Sequence, residues 1–180
     1  RIHPKKGLLQ LVNAWGQVRP AGWNLILAGP DEGGYLKEII ACVQKLGLDS
    51  VVEYRGVVES ETKTELLKRA DLFILPSFSE NFGVVVAEAL AHGIPVISTL
   101  GTPWKGLVEN KCGWWVAAEP NALAHALREA TSLNDQARFA MGRRGQKYAR
   151  QFDWEGIAKD TADVYRWLLN DGELPEHVHV

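Results

Sequence analysis

Short apolar runs alternate with helical stretches along nearly the whole chain, and this alternation constrains the fold more than any other feature. The apolar run at 24–28 ends at Gly29-Pro30, which is typical of a buried strand followed by a turn. The stretch at 8–18 instead carries apolar residues at helical spacing. Strands that alternate with helices favour right-handed βαβ units. The sequence therefore predicts an α/β fold, a Rossmann-like parallel sheet with helices on both faces.

The same pattern predicts the extent of each element. Strands are predicted at 24–28, 51–54, 71–75, 95–98 and 114–116, and helices at 8–18, 32–46, 60–69, 82–91, 120–132, 134–151 and 155–169. Ser60 is the expected N-cap of the third helix, because its hydroxyl can accept a hydrogen bond from the first turn. Ligands of such folds bind at the carboxyl ends of the strands, so the loops after Ala28, Tyr54, Leu75 and Ser98 are the candidate functional loops.

Composition indicates one globular domain. The chain has 180 residues, of which 46% are hydrophobic and 23% charged, as in a globular protein and unlike a disordered one. We interpret residues 1–170 as one domain and 171–180 as a C-terminal tail. The formal net charge of −2 predicts no nucleic-acid partner, because nucleic-acid binding needs a basic face.

The two cysteines, Cys42 and Cys112, lack metal-ligand spacing, and no histidine pair lies close enough in the sequence to complete a zinc site. We expect reduced, buried thiols in a cytoplasmic protein. No apolar run is long enough to cross a membrane. The first residues read like the middle of a loop, so we expect a fragment whose N-terminal half is missing.

The segment 76–91 carries the strongest functional signal. Its predicted helix is apolar nearly all round except for Glu88, and a buried carboxylate needs a hydrogen-bonding or charged partner. Gly83 lets a ligand approach the start of the helix, where unpaired N–H groups and the helix dipole favour an anion. Glu80 lies just outside that position. The pattern predicts an anion such as a diphosphate at the helix start, and the two flanking carboxylates suit hydroxyl-rich groups on either side of it, a sugar and a ribose.

Structural explanations for the same residues stay open. Glu80 could only complement the helix dipole, and Glu88 could pair with a structural lysine or arginine. Arg1 and Lys6 could clamp phosphates, although cations near a chain end are also typical of a solvated surface. His92, at the end of the helix, is expected to cap carbonyl groups and not to catalyse.

The segment 80–88 resembles the E-x7-E motif of retaining GT-B glycosyltransferases, the family also called glycosyl transferases group 1. The flanking PS and GIPVI sequences, at 76–77 and 93–97, fit the same pattern, and the opening R…KG at 1–7 is similar to the start of the family's C-terminal domain. The run GTPWKGL at 101–107 is similar to a subgroup that acts on cell-surface polysaccharides. The resemblance covers almost the whole chain and implies the nucleotide-sugar-binding half of a GT-B fold.

The resemblance assigns roles to individual residues. It implies a catalytic set in which Arg1 and Lys6 hold the diphosphate and Glu80 contacts sugar hydroxyls. The implied donor-binding residues are Gly29, Val57, Ser77, Phe82, Gly83, Val84, Val85 and Glu88. Within this set the amides of two valines, at 84–85, meet the phosphates, Glu88 accepts hydrogen bonds from the ribose, and the residues at 57 and 77 lie near the base.

The implied function is that of a retaining hexosyltransferase, which transfers a sugar from a nucleotide-diphosphate donor to an acceptor in the synthesis of cell-surface polysaccharide or lipopolysaccharide. No cofactor and no metal are expected, because cations and the helix N-terminus can neutralise the leaving diphosphate. The implied partners are the donor, a missing N-terminal acceptor domain of the same enzyme, and an acceptor sugar or lipid-linked glycan. The isolated fragment is expected to be inactive. The expected location is cytoplasmic, with any contact to the inner face of the cell membrane made through the missing half.

Two other functions remain open at this point. A sugar-nucleotide epimerase or hydrolase half-domain would share the diphosphate site but would not need two glutamates at this spacing. A non-catalytic α/β nucleotide-binding module would tolerate an apolar residue in place of Glu88.

Overall fold

The computed structural model describes residues 1–169, 171–175 and 178. Within them the chain forms, in order, α1 (Leu8–Val18), β1 (Leu25–Leu27), α2 (Leu36–Lys45), β2 (Val52–Tyr54), α3 (Ser60–Arg69), β3 (Phe73–Leu75), α4 (Val84–Ala91), β4 (Val96–Thr99), α5 (Gly106–Glu109), β5 (Gly113–Val116), α6 (Pro120–Ser132), α7 (Asp135–Ala149) and α8 (Trp154–Leu168). Short 3-10 turns at Pro4–Lys6 and Arg150–Phe152 precede α1 and follow α7.

The strands form two parallel ladders. β1 pairs with β2, with Leu27 opposite Tyr54. β4 lies between β3 and β5, with Ile97 between Ile74 and Trp114. Parallel strands joined through helices confirm the predicted α/β, Rossmann-like class. Because each ladder is parallel, the loops after β1 and β2, and those after β3 and β4, leave their ladder at the same edge.

Two hydrophobic clusters hold these layers together. The first joins the ladders, since Leu27 of β1 and Ile97 of β4 share it with side chains of α1, α2 and α6. The second lies between α4, α7 and the loop after β4, where Val86 and Trp104 are buried. Burial of each such side chain stabilises the fold by about 1.5–3 kcal/mol. The second cluster therefore fixes the segment that carries the two glutamates.

Element boundaries differ from the predictions where glycines interrupt the pattern. α2 begins at Leu36 and not at residue 32, because the glycines at 33–34 have positive φ and Asp31 Oδ1 accepts a hydrogen bond from Leu36 N. α4 begins at Val84 and not at residue 82, because Gly83 has left-handed backbone geometry (φ 79°).

Two further details of the helices were not predicted correctly. The N-cap of α3 is Glu59, and Ser60 is the first helical residue, whose carbonyl oxygen accepts from Thr64 Oγ1. The helix α5, Gly106–Glu109, was not predicted, because a single turn is too short to show a periodic pattern of apolar residues.

α8 is the least covered helix of the described chain. None of its described residues is buried, and Trp154, Tyr165 and Leu168 expose 77%, 63% and 60% of their surface.

The predicted tail at 171–180 lies partly outside the described residues, and its described part forms no helix or strand. None of the helices described here is both long and apolar enough to cross a membrane.

The contact between α7 and the end of α4 leaves no room for a side chain at Gly142. A Cβ there would lie 1.8 Å from the carbonyl oxygen of Gly93. A glycine-to-alanine change inside a helix normally adds about 0.5–1 kcal/mol of stability. We expect Gly142→Ala instead to lower the free energy of unfolding by about 1–3 kcal/mol, because the backbones must separate. Urea unfolding measures the change. Gly156→Ala in α8 is the matched control, since among the described residues its Cβ meets only the Asp153 carboxylate. Equal stability of the two variants would contradict the prediction.

Burial raises the pKa of the Cys112 thiol to about 11. In the unfolded chain the thiol has a pKa near 9.0, so the folded state binds this proton more tightly than the unfolded state does. The free energy of unfolding therefore decreases as the pH rises from 9.0 towards 11. Near pH 8 we expect iodoacetamide to alkylate the half-buried Cys42 much faster than Cys112, and both thiols at similar rates in guanidinium. Peptide mass spectrometry checks this, and equal native rates would show that Cys112 is reachable.

Candidate functional site

The start of the chain packs against the loop that follows β3. Gly7 has left-handed geometry (φ 65°), and a Cβ on it would lie 2.1 Å from the carbonyl oxygen of Pro76. Beside this contact, Phe78 N donates a hydrogen bond of 2.9 Å to Lys5 O. Only glycine permits this close approach of two backbones. The contact brings the cationic opening of the chain to the segment 76–83.

Lys6, Ser77 and Glu80 meet at this contact. Lys6 Nζ lies 2.5 Å from Glu80 Oε1, and Ser77 Oγ donates to the same oxygen at 2.7 Å. Burial opposes the charged carboxylate, but the hydrogen bonds from Lys6 and Ser77 outweigh it and hold the pKa of Glu80 below its usual range. Glu80 is therefore an anion at neutral pH, fixed in orientation by two donors.

The guanidinium of Arg1 is not part of this cluster. It pairs with Glu32 at 3.1 Å, because Ile2 bridges to Asp31 and carries the neighbouring side chains together. The Arg1 side chain is 63% exposed, and exposed ion pairs of this kind contribute only about 0–1 kcal/mol. Of the two predicted phosphate-binding cations, the structure brings only Lys6 to Glu80.

The helix α4 begins directly after this cluster. Gly83 ends the loop in left-handed geometry, and Val84 is 52% exposed. The amide groups of Val84 and Val85 donate to no acceptor within the described part of the chain. First-turn N–H groups and the helix dipole make such an end favourable for an anion. The sequence predicted that this helix is buried on nearly all sides. That prediction is wrong for the first turn of α4, where Val84 is exposed.

The loop before α4 is tied down by the loop after β4. Glu80 N donates to Gly101 O at 2.9 Å, and Trp104 Nε1 donates to Phe82 O at 2.5 Å. The rings of Phe82, Trp104 and Phe152 lie with centroids 5.0–5.4 Å apart, in tilted and edge-to-face arrangements. Such aromatic pairs add about 0.5–1.5 kcal/mol each beyond their burial. Trp104 was not singled out from the sequence, because its partner is 22 residues away.

Glu88 faces a cleft of about 530 Å³ between α3 and α4. The cleft is lined by Val58, Glu59, Ser60, Lys63, Thr64, Leu67, Glu88 and His92. Lys63 Nζ donates to Glu88 Oε1 at 2.6 Å, whereas Glu88 Oε2 is buried and has no hydrogen-bond partner among the described residues. The charged partner predicted for Glu88 is thus Lys63, a residue that could not be identified from the sequence. His92 Nδ1 lies 2.8 Å from Glu88 O, as expected for a capping side chain.

The remaining predicted donor-binding residues lie in different surroundings. Val57, after β2, is 66% exposed. Ser77 is buried beside Glu80, on the Lys6 side of the segment. The Gly29 amide donates to Gly56 O at 2.7 Å, so it is not available to a ligand. A Cβ on Gly29 would lie 2.8 Å from the backbone nitrogen of Arg1, which gives this glycine a packing role.

No metal-binding cluster accompanies these groups in the described ranges. Groups of three or more histidine, cysteine, aspartate or glutamate side chains that could hold an ion are absent from residues 1–169, 171–175 and 178. The charges at the site are instead two lysine–glutamate pairs on either side of a helix N-terminus.

Fold and site together define an α/β domain of the Rossmann-like type, with polar and charged groups gathered at the carboxyl ends of its strands. Residues 1–148 match the family model of the glycosyl transferases group 1. The chain therefore belongs to the glycosyl transferases group 1 family.

Named relatives share this region. The D-inositol 3-phosphate glycosyltransferase of Corynebacterium urealyticum is 33% identical over 151 residues, which cover 80% of this chain and 35% of that protein. The putative colanic acid biosynthesis glycosyltransferase WcaL of Salmonella typhimurium is 30% identical, over 93% of this chain and 44% of that protein. The solved structure of Anabaena Alr3699/HepE in complex with UDP-glucose has a TM-score of 0.82 at 28% identity, over 92% of this chain and 46% of that chain. The chain thus spans less than half the length of each of these relatives.

Loss of the indole N–H at Trp104 should loosen the loop that precedes α4. Trp104→Phe keeps an aromatic ring but removes the hydrogen bond to Phe82 O, so we expect about 1 kcal/mol less stability and faster amide exchange at 82–86. Hydrogen–deuterium exchange with mass spectrometry measures both effects. Trp114→Phe, which loses a bond to Glu129 on another surface, should leave exchange at 82–86 unchanged. Unchanged exchange in both variants would contradict the role given to Trp104.

Proposed function

We propose that this chain is the donor-binding half of a retaining glycosyltransferase that uses a nucleotide-diphosphate sugar. The observation that carries the proposal is the arrangement around the start of α4. Two glutamates, each held by a lysine, lie on either side of a helix N-terminus whose first amides, at 84–85, have no acceptor among the described residues. A nucleotide-diphosphate sugar has the matching order of groups: a sugar, a diphosphate, and a ribose with its base.

The diphosphate binds at the helix start in this proposal. The amides of Val84 and Val85 donate to its oxygens, and Lys6 supplies a positive charge from the loop side. Arg1 joins them by exchanging its exposed pair with Glu32 for a phosphate, which it can bind bidentately. These groups stabilise the negative charge that develops on the departing diphosphate, so we propose that neither a metal nor another cofactor takes part.

Glu80 accepts hydrogen bonds from the sugar hydroxyls. Its fixed, ionised carboxylate suits that role, since Lys6 and Ser77 already set its orientation. Ser77 is buried beside Glu80, so we propose that it positions this carboxylate and that the base is contacted by the exposed Val57. Glu88 accepts hydrogen bonds from the ribose, and Phe82 and Gly83 shape the turn that brings the backbone to the phosphates.

The sugar leaves with oxocarbenium character and is attacked from the face of the departing diphosphate, which gives retention. The acceptor and the remaining catalytic groups belong to an N-terminal domain outside this chain, so the chain alone is inactive in transfer. Similarity to WcaL, named for colanic acid biosynthesis, supports an acceptor in cell-surface polysaccharide synthesis.

Nucleotide binding to the chain tests the proposal. We expect calorimetry to detect UDP, GDP or ADP, or the corresponding sugars, at up to millimolar concentration, with UDP-glucose as the first probe because HepE was solved with it. Lys6→Met should weaken binding of the preferred nucleotide about tenfold, since a charge-assisted contact to the diphosphate is lost. Lys68→Met, which removes an exposed lysine paired with Glu65 on α3, is the control and should bind like the wild type. A folded chain that binds none of these nucleotides would refute the proposal.

A further inference from the structure

The Lys63–Glu88 pair of the cleft leaves a buried carboxylate oxygen without a hydrogen-bond partner among the described residues. The ammonium of Lys63 can donate three hydrogen bonds and donates one, to Glu88 Oε1. Its other two donors meet no acceptor among the described residues, and Glu88 Oε2 meets no donor there. A buried carboxylate oxygen without a partner is costly, so the pair is completed only when a ligand or water supplies hydrogen bonds. It therefore presents open donors and one open acceptor side by side.

We propose that Lys63 is a specificity-determining residue, which together with Glu88 recognises a cis-diol. Each hydroxyl of a diol can both donate and accept a hydrogen bond. One hydroxyl donates to Glu88 Oε2, and its neighbour accepts from Lys63 Nζ. On the proposed function, on which this inference rests, the diol is the 2′,3′-diol of the donor ribose, so the cleft selects ribonucleotides over their deoxy analogues.

The charges of the cleft favour a neutral diol over a phosphate. Lys63 is the cation among its lining residues, and its charge is neutralised by Glu88. Glu59 lines the same cleft and adds a further negative charge. An anion placed here would be repelled by Glu59 and would compete with Glu88 for Lys63. Hydroxyl groups meet neither obstacle, which separates this subsite from the anion site at the start of α4.

Lys63 is bonded to the other oxygen of the same carboxylate and so lies beside the open acceptor. Glu88 Oε2 is buried, whereas the Lys63 side chain, a long stem with several rotatable bonds, is 38% exposed. A diol reaches Oε2 when the lysine chain shifts towards the cleft while its ammonium stays bonded to the carboxylate. Lys63 accordingly acts as the second partner of the diol.

The test compares nucleotides with and without the diol. We use calorimetry on the wild type, Lys63→Met and Lys63→Arg, with the preferred nucleoside diphosphate and its 2′,3′-dideoxy analogue. The wild type should bind the ribonucleotide at least about tenfold more tightly than the analogue, because the site is built to pair with hydroxyls. Lys63→Met should lose about tenfold in affinity for the ribonucleotide and nothing for the analogue. Lys63→Arg, which keeps the charge and the donors, should recover part of the loss.

The outcomes separate the inference from the proposed function. Lys68→Met, on the same helix, is the matched control and should behave like the wild type with both nucleotides. If Lys63→Met binds both nucleotides as the wild type does, or loses affinity for both equally, Lys63 does not read the diol, although the donor site stands. If the wild type binds none of the UDP, GDP and ADP pairs, the donor site itself is refuted, and this inference with it. Circular dichroism establishes that each variant is folded.

Discussion

The contact between Gly7 and Pro76 is the constraint on which the site depends. Two backbones approach so closely there that a side chain on the glycine would overlap a carbonyl group. This proximity places Lys6 beside Glu80, and the resulting ion pair holds the loop that carries Glu80. Trp104 secures the other side of the same loop through Phe82. The start of α4 is therefore held from two directions before any ligand arrives, which reduces the ordering cost of binding.

Much of the fold could be predicted from local pattern, and the site only in part. α1 and α6 have the bounds that their periodicity and flanking residues indicate, because amphipathic spacing is a strong local signal. Glu80 and Glu88 could be identified because a carboxylate beside or within an apolar helix is conspicuous. Their lysine partners could not be assigned in the same way, since Lys63 lies on another helix and its pairing depends on how α3 packs beside α4.

Arg1 illustrates a limit of reading charge from sequence. The residue type and its place near Lys6 suggested one clamp, but the short bridge between Ile2 and Asp31 turns Arg1 towards Glu32. A guanidinium on a long, exposed side chain has several partners within reach, and small differences in free energy choose among them. Its position in the sequence identifies such an arginine as a candidate phosphate-binding residue. Which partner it pairs with is determined by the folded structure and by the ligand.

Pairing each glutamate with a lysine has an electrostatic consequence for anion binding. The pairs Lys6–Glu80 and Lys63–Glu88 bring almost no net charge to the site, so neither attracts a diphosphate strongly from a distance. On the proposed function, the attraction acts at short range and comes from the helix N-terminus, which acts over its first turn, from the ammonium of Lys6, and from Arg1 once it leaves Glu32. Short-range dipoles and hydrogen bonds discriminate by shape more than a bare cationic patch does. On the proposed function, a site built in this way recognises the ordered groups of a nucleotide sugar and not simply its negative charge.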